Sequence, residues 1–153
     1  MGTRGAAVLL MGVELTGCGT SAPERSDGSS QAQSLWSARS AYVGDSSRTT
    51  ALVREVGFGP QGSYLVELQT AKPPYAMTVS FTRLDKPFDA TDFSGNATLL
   101  LGLVANLDEV SVTSAGHAYS LTSAGASKEL GYDVKELGRD QGKLTAYLDG
   151  SRD

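Results

Sequence analysis

Stretches of alternation and stretches of helical spacing mark out the chain from Leu35 to Leu148. Thr49, Leu52, Val53 and Val56 recur at three- and four-residue intervals, which predicts a helix over Ser46–Val56. Asp45 before it is placed to cap that helix by accepting from the N–H of Ser47 or Arg48, Gly44 gives a turn into it, and Gly57 ends it. Tyr64, Val66 and Leu68 then alternate with Ser63, Glu67 and Gln69, with Leu65 breaking the pattern. Tyr75, Met77, Val79 and Phe81 alternate with Ala76, Thr78, Ser80 and Thr82. With Ala71-Lys72-Pro73-Pro74 as the turn, these two runs predict an antiparallel hairpin with one buried face.

Asn96–Leu107 is apolar on nearly every side, the pattern of a central buried helix. Val110 and Val112, then Tyr119 and Leu121 across an Ala115-Gly116-His117 turn, predict a second hairpin. Two short helices close the chain: Ser123–Leu130, and a segment capped by Asp140 with Leu144, Tyr147 and Leu148 on one side. The order helix–hairpin–helix–hairpin–helix predicts an α+β fold of αββ–αββ–α form: two layers, a four-stranded mostly antiparallel sheet with helices on one face. A single domain is expected over residues 35–149, and residues 150–153 should fray.

The start of the chain follows a different logic. Arg4, the apolar run Gly5–Val13 and the small-residue approach Leu15-Thr16-Gly17 have the three-part form of a secretory signal over residues 1–17. The run is too short to span a bilayer. Leu15-Thr16-Gly17-Cys18 resembles the bacterial lipobox. That resemblance implies cleavage between Gly17 and Cys18, diacylglycerol on the Cys18 thiol and acylation, commonly by palmitate, of its freed amine. Two acyl chains hold a protein stably to a membrane, whereas one does so only marginally. Residues 18–34, rich in Ser, Gly and Ala, read as the lipidated cysteine and a flexible linker. Trp36, the only tryptophan, reads as core.

Composition narrows the chemistry. A net charge of −4 without a basic cluster argues against nucleic acid and against a reader of anionic lipid. Cys18 is the only cysteine, so the chain has no internal disulfide. Gly57-Phe58-Gly59-Pro60-Gln61-Gly62 spells a dinucleotide fingerprint but follows a helix and opens a strand, the reverse of the context that binds phosphate. Asp85, Asp89 and Asp92 lack the alternate spacing and glycine turn of a calcium loop, and their segment reads as a solvated loop pinned by Phe88 and Phe93. His117 reads as a solvated turn residue without a catalytic partner. No catalytic set, metal site or cofactor is expected. The nearest alternative is a carboxylate pair acting on glycans, drawn from Glu67, Asp108 and Glu109.

Leu35-Trp36, Tyr42-Val43-Gly44-Asp45, Glu67–Thr70, Pro74–Val79, Asn96–Val110 and Gly131–Val134, in this order and spacing, resemble a bacterial family catalogued as domain of unknown function 4825. The resemblance runs from about Leu35 to Leu148. Domains of that family occur as small lipoproteins and as parts of membrane metallopeptidase sensors, so it implies an extracytoplasmic module and supplies no catalytic residues. The HExxH of those sensors is absent from this sequence. The expectation is therefore a lipid-anchored, non-catalytic binding or sensory module on the outer face of the cell membrane. Its partner would be an envelope protein, a cell-wall ligand or a membrane sensor that it regulates. The candidate interaction surface is the Tyr42, Gly44, Asp45 turn together with the outward side of the first hairpin, including Glu67 and Gln69.

Overall fold

In the computed structural model, which describes residues 26–151, the Asp45 cap forms as predicted. Its carboxylate accepts from the Arg48 N–H at 3.3 Å, and its carbonyl accepts from Thr49 N at 2.9 Å. The helix it starts, α2 (Ser46–Val53), buries Thr49, Leu52 and Val53. The buried Thr49 hydroxyl donates to the Val43 carbonyl at 3.2 Å, so its polarity is satisfied inside the core. The chain then widens into a π-helical turn over Arg54–Phe58, where Gly57 takes φ 109°, and a 3-10 turn over Gly59–Gln61. The helix is thus shorter than its apolar stripe, because the wider turn still carries Val56 and Phe58 into the core.

Strands β1 (Gly62–Gln69) and β2 (Ala76–Leu84) make the first hairpin, and β3 (Glu109–Ser114) and β4 (His117–Thr122) the second. At the entry to β1, Gly62 has φ 152°, and a Cβ there would fall onto the Arg83 carbonyl oxygen. That residue has to be glycine for the hairpin to close. The second hairpin turns on Ala115 and Gly116, both at positive φ, the two-residue turn that matches strand twist.

The sheet order is β1-β2-β3-β4. Both hairpins are antiparallel, while β2 and β3 run parallel, in register from Ala76↔Glu109 to Ser80↔Thr113. The parallel pair follows from the connection. Helix α3 (Ser94–Leu103) carries the chain from the end of β2 back to the beginning of β3, and a strand reached through such a crossover lies parallel to the one it left. The fold is α+β with an open mixed sheet.

Met77, Val79, Phe81, Val110, Val112 and Leu121 line the buried face of this sheet. They join one core with the helical residues Leu35, Leu52, Leu100, Leu101, Leu144 and Leu148. At one end, Phe58, Tyr64, Phe81 and Phe93 pack ring to ring at centroid distances of 5.7–6.5 Å. Phe88 and Phe93 pin the acidic loop as expected, with their centroids 5.0 Å apart.

Two element boundaries are corrected. The linker assigned to residues 18–34 ends early, since α1 occupies Ser26–Ala38 and buries Ala32 and Leu35. Its Ser- and Gly-rich composition hides a helix held by two apolar residues one turn apart, packed against α5 (Gln141–Gly150), with Gln33 bonded to Gln141 at 2.9 Å. The central helix stops at Leu103, four residues before its apolar run does. There Val104 turns to extended backbone and forms a parallel bridge with Ser40. Gly17 and Cys18 lie outside the described residues.

Candidate interaction surface

The segment after α3, Val104–Glu109, gathers the rest of the fold around it. Ser40 N donates to the Leu103 carbonyl and Ala105 N to the Ser40 carbonyl, each at 2.9 Å. Asn106 Oδ1 accepts from Val43 N at 2.7 Å. Asp108 and Tyr75 bond twice: Tyr75 N donates to the Asp108 carboxylate at 2.7 Å, and Asp108 N donates to the Tyr75 carbonyl at 2.9 Å. Ser123 Oγ donates to the Leu107 carbonyl at 2.9 Å. The pieces Tyr42–Asp45, Pro74–Tyr75 and Val104–Glu109, far apart in sequence, meet in one clasp.

The clasp is completed by a residue that sequence reasoning missed. Lys135, in the 3-10 turn Val134–Gly138 between α4 (Ser123–Leu130) and α5, donates from Nζ to three carbonyls: Leu101 at 2.6 Å, Val104 at 3.1 Å and Leu107 at 2.5 Å. The end of α3 leaves carbonyls with no helical partner, and an ammonium at that pole is favoured by the helix dipole. Burial pulls the Lys135 pKa down to about 8, against the raising influence of Asp108 and Asp133. No local pattern marks a lysine 28 residues beyond Leu107 as its cap. Asn106, Asp108 and Lys135 thus direct their polar atoms at backbone, which assigns them to architecture.

What the clasp presents outward is Tyr42, 69% exposed, on a loop whose carbonyl is held by Ser40 Oγ at 2.9 Å. Gly44 beside it has open space around its Cβ position and no positive φ, so the turn into α2 does not depend on glycine, contrary to expectation. Asp45 spends one carboxylate oxygen on the cap and holds Arg48 at 3.5 Å with the other.

Glu67 and Gln69 are exposed on the outward face of β1, with Gln69 Nε2 donating to the Pro74 carbonyl at 3.3 Å. Pro74 precedes Tyr75, so the two groups of candidate residues are linked through the clasp. No hydrogen bond or ion pair joins them directly among the described residues.

The outward face is rich in hydroxyls. Register brings Glu67, Thr78, Ser111 and Ser120 into one row, and Gln69, Ala76, Glu109 and Thr122 into the next. Ser120 Oγ donates to Glu109 at 2.6 Å, Ser111 and Ser120 share a bond at 3.1 Å, and Thr113 donates to Ser80 at 3.1 Å. The three carboxylates considered for glycan chemistry are not brought together. Asp108 is bonded to Tyr75 and Glu109 to Ser120, while Glu67 stands on β1 with β2 between it and Glu109 and one row along, about 12 Å away across the sheet.

Asp85, Asp89 and Asp92 are likewise divided. Arg83 approaches Asp85 at 3.7 Å and His117 approaches Asp89 at 3.8 Å. Ser94 donates twice to Asp92, holding its carboxyl below the ordinary value. No helix among the described residues is long and apolar enough to cross a membrane.

The sequence profile described as Domain of unknown function (DUF4825) matches residues 35–123. The matched span opens at Leu35 within α1 and closes at Ser123, the first residue of α4, so it stops short of the Gly131–Val134 and Leu148 limits of the resemblance drawn from sequence. No curated protein and no solved structure matches the chain.

Proposed function

The chain belongs to the DUF4825 family, and from that premise we propose that it is a lipid-anchored, extracytoplasmic interaction module with a non-catalytic role. The observation that carries the anchor is Leu15-Thr16-Gly17-Cys18 behind a basic residue and a nine-residue apolar run. Diacylglycerol on Cys18 would hold the chain to the outer face of the cell membrane. The role as a module draws support from the way the clasp uses its half-buried polar side chains. Asn106, Asp108 and Lys135 stabilise loops, while Tyr42, Glu67 and Gln69 offer side chains to solvent. The partner class is an envelope protein.

Metabolic labelling with a palmitate analogue and membrane fractionation test the anchor. Wild type should carry the label and sediment with membranes, and a Cys18→Ser variant should lose the label and turn soluble. An unlabelled wild type retained equally with its variant would refute the anchor. Photo-crosslinking from position 42 in intact cells tests the module. A discrete adduct is expected, and its absence from both Tyr42 and Glu67 positions would count against a protein partner at this surface.

A further inference from the structure

Among the described residues, strand β1 is an edge of the sheet, paired with β2 on one side only. It runs for eight residues without proline or lysine, with Glu67 its one charge and one register shift, between Ser63 and Tyr64, and Leu65 on it is 65% exposed. Proteins commonly blunt such an edge with charge, proline or a covering element, because its free N–H and C=O groups accept another strand. Here the first part of the strand borders an open groove of about 490 Å³ between Tyr64 and helix α2. The α2 side is lined by Ser46, Ser47, Thr50 and Ala51, small side chains that leave room for a backbone. Eight residues of helix from Ser46 give a wall of about 12 Å, the length of roughly four extended residues.

The groove also has a direction. The Arg54–Gln61 connection joins α2 to the start of β1 and so bounds one end. Arg54 lines that end against the turn, its Cγ 3.3 Å from where a Gly59 Cβ would stand. Arg54 is exposed and forms no ion pair among the described residues, in a chain of net charge −4. Its charge reaches the neighbouring Tyr64 hydroxyl, whose pKa burial raises and Arg54 lowers. A chain entering from the Ser46 side ends where the connection crosses its path, at a guanidinium.

We infer that the α2–β1 groove binds the C-terminal segment of another protein as a fifth strand antiparallel to β1, with its terminal carboxylate on Arg54. Strand addition supplies main-chain hydrogen bonds, and the guanidinium supplies charge and a two-pronged donor for the carboxylate. A free amino terminus is repelled at the same point. This inference rests on the reading of the chain as an interaction module and names the partner's chemistry.

The test uses the full chain in detergent and an array of fluorescein-labelled hexapeptides varied over their last four residues. Members with a free carboxylate should bind, and amidating the best of them should weaken binding about tenfold. Arg54→Gln should weaken the free acid by a similar factor and erase the difference between acid and amide. N-methylation of the peptide at alternate residues should abolish binding, and amide shifts in a 15N spectrum should concentrate on Gly62–Leu68 and α2.

An array with no binder, binding indifferent to amidation and to Arg54→Gln, or shifts confined to other elements would overturn the inference. So would a stable dimer in sedimentation that Leu65→Lys dissolves, since the edge would then be taken by a second copy. Membrane retention and a Tyr42 adduct without any peptide binder would overturn the groove and leave the anchored module standing. Peptide binding by a chain that carries no label would do the reverse.

Discussion

Lys135 places one charged atom where three carbonyls converge, and so links α3, the clasp and the turn before α5 at a single point. Removing its ammonium takes a charged donor from all three carbonyls, although Val104 keeps Leu107 N and Leu107 keeps Ser123 Oγ, a loss of about 2–3 kcal/mol for Lys135→Met at pH 7. Urea unfolding measures it. The pH dependence has a definite sign. The folded-state pKa of about 8 lies below the unfolded value of 10.5, so between these the unfolded chain holds the proton that the folded one has released. Stability contributed by this group therefore rises with pH across that window and is level below it. Wild type should gain on Lys135→Met between pH 8 and about 10.5. A flat difference would show that the carbonyls keep the ammonium charged throughout. Asp45→Ala should cost about 1 kcal/mol through loss of the α2 cap, again by urea unfolding.

Among the elements, those with strong local signals were legible. The Asp45 and Asp140 caps, the alternation in β1 to β3 and the turn at Ala115-Gly116 each settle on a few neighbouring residues, and each formed where the pattern put it. The misread bounds of α1 and of α3 came from contacts distant in sequence. Val104–Leu107 is as apolar as the helix before it, and only the pairing of Val104 with Ser40 and of Asn106 with Val43 pulls it out of helical form.

Helix α1 has too few large apolar residues to announce itself, yet Leu35 is fully buried. Leu35→Ala should therefore cost about 2–5 kcal/mol, a core-sized loss visible in thermal unfolding. As for the candidate site, exposure of Glu67 and Gln69 followed from alternation. The groove beside β1 did not, because it depends on how α2 lies against a strand edge.

At the scale of the molecule, the family match and the folding unit have different limits. The match ends at residue 123, while Val134, Leu137, Leu144 and Leu148 beyond it are buried in the common core. Gly102 of α3 lies so close to the next turn that a Cβ there would stand 2.7 Å from Leu137 Cβ and from the Val134 carbonyl oxygen. A chain ended at residue 123 should therefore fail to fold, giving neither a cooperative melt nor dispersed NMR shifts. A cooperative transition would show the last two helices to be accessory.

The early start of α1 has a mechanical consequence. In the anchored protein proposed here, seven residues, Gly19 to Arg25, lie between the acylated residue and the first described helix. Even drawn straight, the eight steps from Cys18 to Ser26 span only about 28 Å. The domain is then a short-leashed one, confined to a shell near the bilayer. A partner embedded deep in the wall stays out of range, and one whose tail emerges close to the lipid headgroups is met at high local concentration.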